Sequence, residues 1–179
     1  MKHLAPQIIV ICGLPGTGKS PLSEAVAKAL NAPILSTDNT RLRLGYQGRY
    51  EAEEKSVIYD AFFAEALEEG EETPVMILDG SFSTPSSRVE AIALGRKLQR
   101  PVLFFHIIAE EANIKRRLVD ERENGHDDFA VYQRMKADFT PFNFPVHVID
   151  TTVDCPTVSS NRLLNVLKAV EGEAEVVSR

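Results

Sequence analysis

Gln7-Ile8-Ile9-Val10-Ile11-Cys12-Gly13-Leu14-Pro15-Gly16-Thr17-Gly18-Lys19-Ser20 is the stretch on which the reading of this chain turns. Its first six residues form an apolar run rich in β-branched side chains, which predicts a buried strand. Its last eight spell Gly-x-x-x-x-Gly-Lys-Ser. From Gly18 to Leu30, residues Leu22, Ala25, Val26, Ala29 and Leu30 then recur on one helical face. Strand, glycine-rich turn, Lys-Ser pair and helix, in that order, form the setting in which this pattern binds phosphate. Glycines let the backbone curl until its N–H groups converge on anionic oxygens, and the helix N-terminus adds the positive end of its dipole. Gly13, Leu14, Pro15, Gly16, Thr17, Gly18, Lys19 and Ser20 are therefore the expected cradle. Lys19 should reach the β- and γ-phosphates of ATP, and the Ser20 hydroxyl should ligate Mg²⁺.

Outward from this motif, four more short apolar runs alternate with amphipathic stretches. Strands are expected at Ile34-Leu35, Val75–Leu78, Val102–Ile108 and Val146–Ile149. Helices are expected at about Glu51–Glu69, Pro85–Leu98, Ala112–Glu123, Phe129–Phe139 and Pro156–Val170, with a loop over Arg41–Tyr50. The Glu51–Glu69 helix should turn Val57, Ile58, Ala61, Phe62, Ala66 and Leu67 toward the core. Near-continuous apolar strands separated by helices indicate a parallel sheet covered on both faces, an α/β domain. The 179 residues suit a single domain, 1–179, with a polar tail over 171–179. A formal charge of −6 argues against a nucleic-acid partner without excluding a local basic groove. Cys12 and Cys155 have neither metal-ligand nor disulfide spacing, and no apolar run is long enough to span a membrane. The expected location is cytoplasmic.

Ligands of open α/β sheets sit beyond the carboxyl ends of the strands, and two carboxylates fall there. Asp79 ends Val75-Met76-Ile77-Leu78-Asp79-Gly80 and can hold Mg²⁺ directly or through water, or else cap the following helix. Asp38 lies in Leu35-Ser36-Thr37-Asp38-Asn39-Thr40-Arg41. It can take the proton of an attacking hydroxyl, with Arg41 binding charge on the acceptor or the transferred group. The same Ser/Thr/Asp/Asn cluster also reads as an ordinary helix start.

Gly13–Ser20, Leu35-Ser36-Thr37-Asp38-x-x-Arg41, Leu78-Asp79-Gly80, a late Arg-rich segment and Ile149-Asp150-Thr151 together resemble the P-loop kinase group. Within it the chain looks like the small ATPase/kinase branch that includes the polynucleotide 5′-hydroxyl kinase domain, zeta-toxin-like kinases and chloramphenicol phosphotransferase. The resemblance implies a three-layer P-loop fold, a five-stranded parallel sheet of order 2-3-1-4-5, and phosphoryl transfer from ATP to a hydroxyl. It implies Asp38 as general base, supported by Arg41. It also implies a helical lid, here about residues 112–139, whose arginines close over the phosphates. Among Arg116, Arg117 and Arg122, helical spacing turns Arg116 to water and lets Arg117 pair with Glu121. Arg122, at the base of a tip over Asn124–Asp128, is the preferred lid arginine, with Arg134 a further candidate.

On the acceptor side, Arg88 is either a phosphate grip or a solvated residue early in its helix. Tyr46 and Tyr50, with Arg43 and Arg49, can stack on an aromatic acceptor or pack over the core. The leading expectation is an ATP-dependent kinase acting on a small-molecule hydroxyl. The alternatives are a polynucleotide 5′-hydroxyl kinase and a regulatory or toxin-like ATP hydrolase without a dedicated acceptor.

One residue departs from the motif's usual company. Pro21 follows Ser20 and brings no backbone N–H to a place where such loops commonly donate to the α-phosphate. Pro21→Thr is expected to tighten ATP binding; an unchanged Kd by calorimetry would make the missing donor irrelevant.

Overall fold

The computed structural model describes residues 5, 7–49, 51–120 and 125–177. Strand β1 (Gln7–Cys12) leads through the glycine loop into α1 (Lys19–Leu30), and β2 (Ile34–Ser36) runs directly into α2 (Thr37–Arg43). Next come α3 (Ala52–Glu72), β3 (Val75–Gly80), α4 (Pro85–Leu98) and β4 (Val102–Ile108). A short α5 (Glu111–Lys115) passes into a π-helical turn, Arg116–Asp120; then follow α6 (Gly125–Ala137), β5 (His147–Asp150) and α7 (Pro156–Val177). The strands form one parallel sheet, as their apolar runs predict, in the order β2-β3-β1-β4-β5 that the resemblance implies.

The central strand owes its place to its composition. Ile8 through Cys12 are each 0% exposed, and the pleat deals them alternately to two cores. Ile8, Val10 and Cys12 join Phe62, Ala66, Phe82 and Ala91 under α3 and α4. Ile9 and Ile11 join Leu22, Val26, Leu163 and Leu167 under α1 and α7. Both faces are covered, so the strand reads as a continuous apolar run rather than an alternating one. Val57, expected inside, is instead 45% exposed: α3 turns Ile58, Phe62 and Ala66 to the sheet, and Val57 falls beside that stripe.

Two other expectations are corrected. The loop expected from Arg41 begins later, because α2 carries the chain to Arg43. Its start is capped by the Ser36 hydroxyl, which accepts from the Asp38 N–H at 3.2 Å; its acid lies in the first turn and its arginines in the last. The tip expected over Asn124–Asp128 is already helical from Gly125, where α6 starts four residues before the predicted Phe129.

Arg88 is neither solvated nor turned to a ligand. It is 2% exposed and donates to the carbonyls of Phe82, Ser83, Thr140 and Pro141, with its guanidinium 3.8 Å from the centre of the Phe142 ring. Phe82 holds φ 45, a conformation unusual for a side chain of this size, and its N–H donates to the Tyr59 hydroxyl at 3.0 Å. His106 stacks on Phe139 beside this cluster, their ring centres 5.3 Å apart. Arg88 thus ties the segment after α6 to the turn after β3. Arg88→Met is expected to cost about 3 kcal/mol of stability, because buried carbonyls lose a charged donor; an unshifted urea midpoint would contradict this.

Candidate active site

The strands end level at the carboxyl edge of the sheet: Ser36 lies beside Asp79, Cys12 beside Gly80 and His106, and Ile108 beside Asp150. The residues that follow these ends surround a cavity of about 440 Å³.

The glycine loop forms one wall. Gly13 (φ 154), Gly16 (φ 77) and Gly18 (φ 85) hold backbone angles that side chains resist. Gly13 has a second reason to be glycine, since a Cβ there would lie 2.4 Å from the Ile107 carbonyl oxygen. The loop's carbonyls are engaged by side chains. That of Leu14 accepts from the Lys19 ammonium at 3.0 Å and the Thr17 hydroxyl at 2.8 Å. That of Gly16 accepts from Arg117 at 3.2 Å, and that of Thr17 from the Thr151 hydroxyl at 2.7 Å. The loop can then offer its N–H groups to an anion in the cavity. Helix α1 adds its dipole, with Gly18 as a cap without a side chain and no acid in the first turn to compete.

Ser20 is exposed and lines the cavity. Asp79 stands behind the wall, 5% exposed. Burial raises its carboxyl above the ordinary carboxylate range, and the Lys19 ammonium and Ser23 hydroxyl draw it partly back. A hydroxyl, one carboxylate and phosphate oxygens suit Mg²⁺, which keeps several waters, and a recessed Asp79 suits contact through one of them. Among the described residues no group of three or more His, Cys, Asp or Glu is placed to hold a metal.

Asp38 and Arg41 come to the opposite wall. Asp38 is 77% exposed, and its Oδ1 lies 3.9 Å from the Arg41 Nε. Arg41 is 9% exposed and also donates to the Arg49 carbonyl. Asp38 both occupies the first turn of α2 and faces the cavity, so the helix-start reading and the functional reading coexist.

On the lid side, Arg117 is the arginine in place. Its guanidinium spans the Gly16 carbonyl, the Thr151 hydroxyl at 3.2 Å and the Thr151 carbonyl at 2.6 Å. The π-helical turn begins at the preceding residue, and such turns alter which way a side chain faces. The α-helical spacing expects Arg117, one of three candidates, to pair with Glu121 and prefers Arg122 as the lid arginine, and it gives Thr151 no role. Arg122 lies outside the described residues, as do Tyr50 and Asn124. Arg116 is exposed, as expected, and Arg134 lies 3.9 Å from Glu51, away from the phosphate loop. Arg43 pairs with Glu65, and Arg49 lies over the Tyr46 ring, 5.8 Å from its centre.

An acid whose pKa is raised by folding costs stability while ionised, and that cost fades as pH falls through the raised pKa. Asp79→Asn is therefore expected to melt no lower than the parent at neutral pH without nucleotide, while losing part of the melting shift conferred by Mg²⁺ and ATP. A lower melting temperature without ligand would overturn the electrostatic account.

Comparison with known proteins agrees with this geometry. A family profile described as AAA domain matches residues 8–142. An uncharacterized protein of Mycobacterium tuberculosis (strain ATCC 25618 / H37Rv) is 29% identical over 140 residues, 72% of this chain but 28% of that protein. The chain thus spans little more than a quarter of that relative's length. A gluconokinase from Sinorhizobium meliloti 1021 superposes with a TM-score of 0.75 at 17% identity, covering 97% of this chain and 98% of that one. The Mycobacterium tuberculosis APS kinase, in complex with AMPPNP and APS, superposes with a TM-score of 0.73 at 14% identity, covering 92% and 99%. A central strand feeding a phosphate loop, flanked by the 2-3-1-4-5 sheet, places the chain in the AAA domain family, with the fold of the small P-loop kinases.

Proposed function

We propose that this chain is an ATP-dependent phosphotransferase that moves the γ-phosphoryl group to a hydroxyl of a small-molecule acceptor. The observation that carries the reading is Asp38: an exposed carboxylate on the cavity wall facing the phosphate loop, held beside Arg41. The first turn of α2 accounts for an acid at Asp38, and the exposure of that acid to the cavity is what favours a base over a helix start alone. The kinase names of the structural relatives support the same reading.

In this mechanism the loop N–H groups and Lys19 bind the β- and γ-phosphates, and Lys19 exchanges its contact with the Leu14 carbonyl for phosphate oxygens. The acceptor oxygen attacks the γ-phosphorus while the bond from that phosphorus to the β,γ-bridging oxygen breaks. The hydroxyl proton passes to Asp38, and ADP departs with the bridging electron pair. Arg41, its Nε 3.9 Å from the carboxylate, orients Asp38. Ser20, and Asp79 through water, would hold Mg²⁺, which when bound offsets charge on the phosphate oxygens. Arg117 sits against Gly16 and Thr151, beside the cavity, where it steadies the loop and meets developing negative charge. Arg122 remains in the proposal as a lid arginine that closes over the γ-phosphoryl group. Among the described residues no helix is long and apolar enough to cross a membrane, and both cysteines are free; we place the enzyme in the cytoplasm.

The test is transfer of label from γ-labelled ATP, with Mg²⁺, to a panel of alcohols that includes DNA and RNA 5′-ends. Asp38→Asn is expected to reduce transfer by about 10²–10⁴-fold, the usual worth of a general base, with ATP affinity retained. Phosphate release indifferent to every acceptor and to that substitution would favour a slow ATP hydrolase. Label on 5′-ends alone would favour the polynucleotide reading.

A further inference from the structure

Beyond the phosphate loop, the part of the cavity that an acceptor would fill is walled by Thr37, Asp38 and Arg41, by Ser81 after β3, and by Val131 and Met135 of α6. The charges on this wall run against a negatively charged acceptor. Asp38 presents its carboxylate, 77% exposed. Arg41 is the cation on this side among the described lining residues, and it is turned inward: its side chain is 11% exposed, bonded to the Arg49 carbonyl and matched by Asp38. Lys19 and Arg117 belong to the phosphate side, bound to loop carbonyls. Arg88, which could have gripped an acceptor phosphate, is withdrawn beneath Phe142 with four carbonyls around its guanidinium.

The wall continues past Val131 and Met135 into a smaller groove of about 90 Å³ between α3 and α6. There the bases Lys55 and Arg134 are met by the acids Glu51 and Asp138, with Arg134 and Glu51 3.9 Å apart. The groove therefore adds no net positive charge among the described residues. Against the described wall, an acceptor bearing a carboxylate or phosphate near its hydroxyl would lose hydration beside Asp38 and the phosphates of ATP, with Arg41 the one described cation on that side and already matched by Asp38. Thr37 and Ser81 instead offer hydroxyls, and Val131 and Met135 offer an apolar surface.

From this wall we infer that the acceptor is an alcohol without an anionic group, uncharged or carrying an amine, with an apolar portion that lies on Val131 and Met135. The inference rests on the kinase reading above and narrows its substrate class.

The experiment offers γ-labelled ATP and a broad set of alcohols arranged as matched sets: a polyol or sugar, its amino counterpart, and its acid counterpart, such as glucose, glucosamine and gluconate. The expected result is kcat/KM at least about tenfold higher for the uncharged or amine-bearing member than for the acid of the same set. Ser81→Arg is expected to raise the acid's kcat/KM relative to its uncharged counterpart by about tenfold, by supplying the missing cation. Should that variant unfold, Val131→Lys on α6 makes the same test from the opposite wall. Preferred transfer to the acid members overturns the inference and leaves the kinase reading standing. An unshifted preference in a folded variant also overturns it. ATP hydrolysis with no transfer to any alcohol removes the kinase reading and this inference with it.

Discussion

A loop that presents its N–H groups to an anion has to dispose of its carbonyls elsewhere, and most of this site can be understood from how that is done. Three successive solutions appear, each from a different part of the chain. Lys19 and Thr17, within the motif, take the Leu14 carbonyl. Arg117, on the π-helical turn after β4, takes that of Gly16. Thr151, one residue past β5, takes that of Thr17 and is itself fixed by its N–H bond to Ile108 at 2.9 Å. The motif supplies the curvature, but the shape is held by the ends of β4 and β5. The loop cannot be rigid unless those strands are already in place beside β1, so the sheet order is a condition of the site.

Electrostatics divides the rim in a comparable way. Lys19 and Arg117 gather on the side of the phosphate loop, while Asp79 is recessed between them and the core. Its burial disfavours the carboxylate, and the nearby ammonium partly restores it. Such a group is poised for a dication and costly to the protein without one. Asp38 is the opposite case: its side chain is 77% exposed and open to the cavity. Two carboxylates on the same edge thus differ in exposure, and in the proposed mechanism that difference separates a metal partner from a base.

The central part of the fold was legible in the sequence because it is local. Strand, glycine turn, Lys-Ser pair and helix follow one another without a break, and β1, α4 and β4 begin and end where periodicity placed them. Thr84 explains this for α4: its hydroxyl accepts from Ser87, with Pro85 at the first helical position. What was not legible depends on partners far away in the chain. Arg88 looks on its own helix like a solvated residue; only the return of Thr140 and Pro141 beneath it makes it a buried clamp. Arg117 looks like the partner of a glutamate four residues on. A π-helical turn, which no apolar period of the sequence announces, brings it to Gly16 and Thr151, while Glu121 lies outside the described residues. Among the candidate site residues, Lys19, Ser20, Asp38 and Arg41 line the cavity, and the placement of each is set by neighbours in sequence.

The same turn bears on how the lid can act. Ile114 and Leu118 pack with Tyr132 of α6 and with Leu14 of the phosphate loop, in a cluster separate from both main cores. A Cβ on Gly16 would lie 2.9 Å from both Ile114 and Leu118, so the lid base touches the loop backbone directly. The far arm of the lid is tied down independently, through Thr140 and Pro141, to Arg88. A segment anchored at both ends, with one anchor on the loop itself, cannot shift its base without displacing the cradle. Any closure over a nucleotide that the proposed mechanism requires therefore leaves both anchors, and the cradle, where they are.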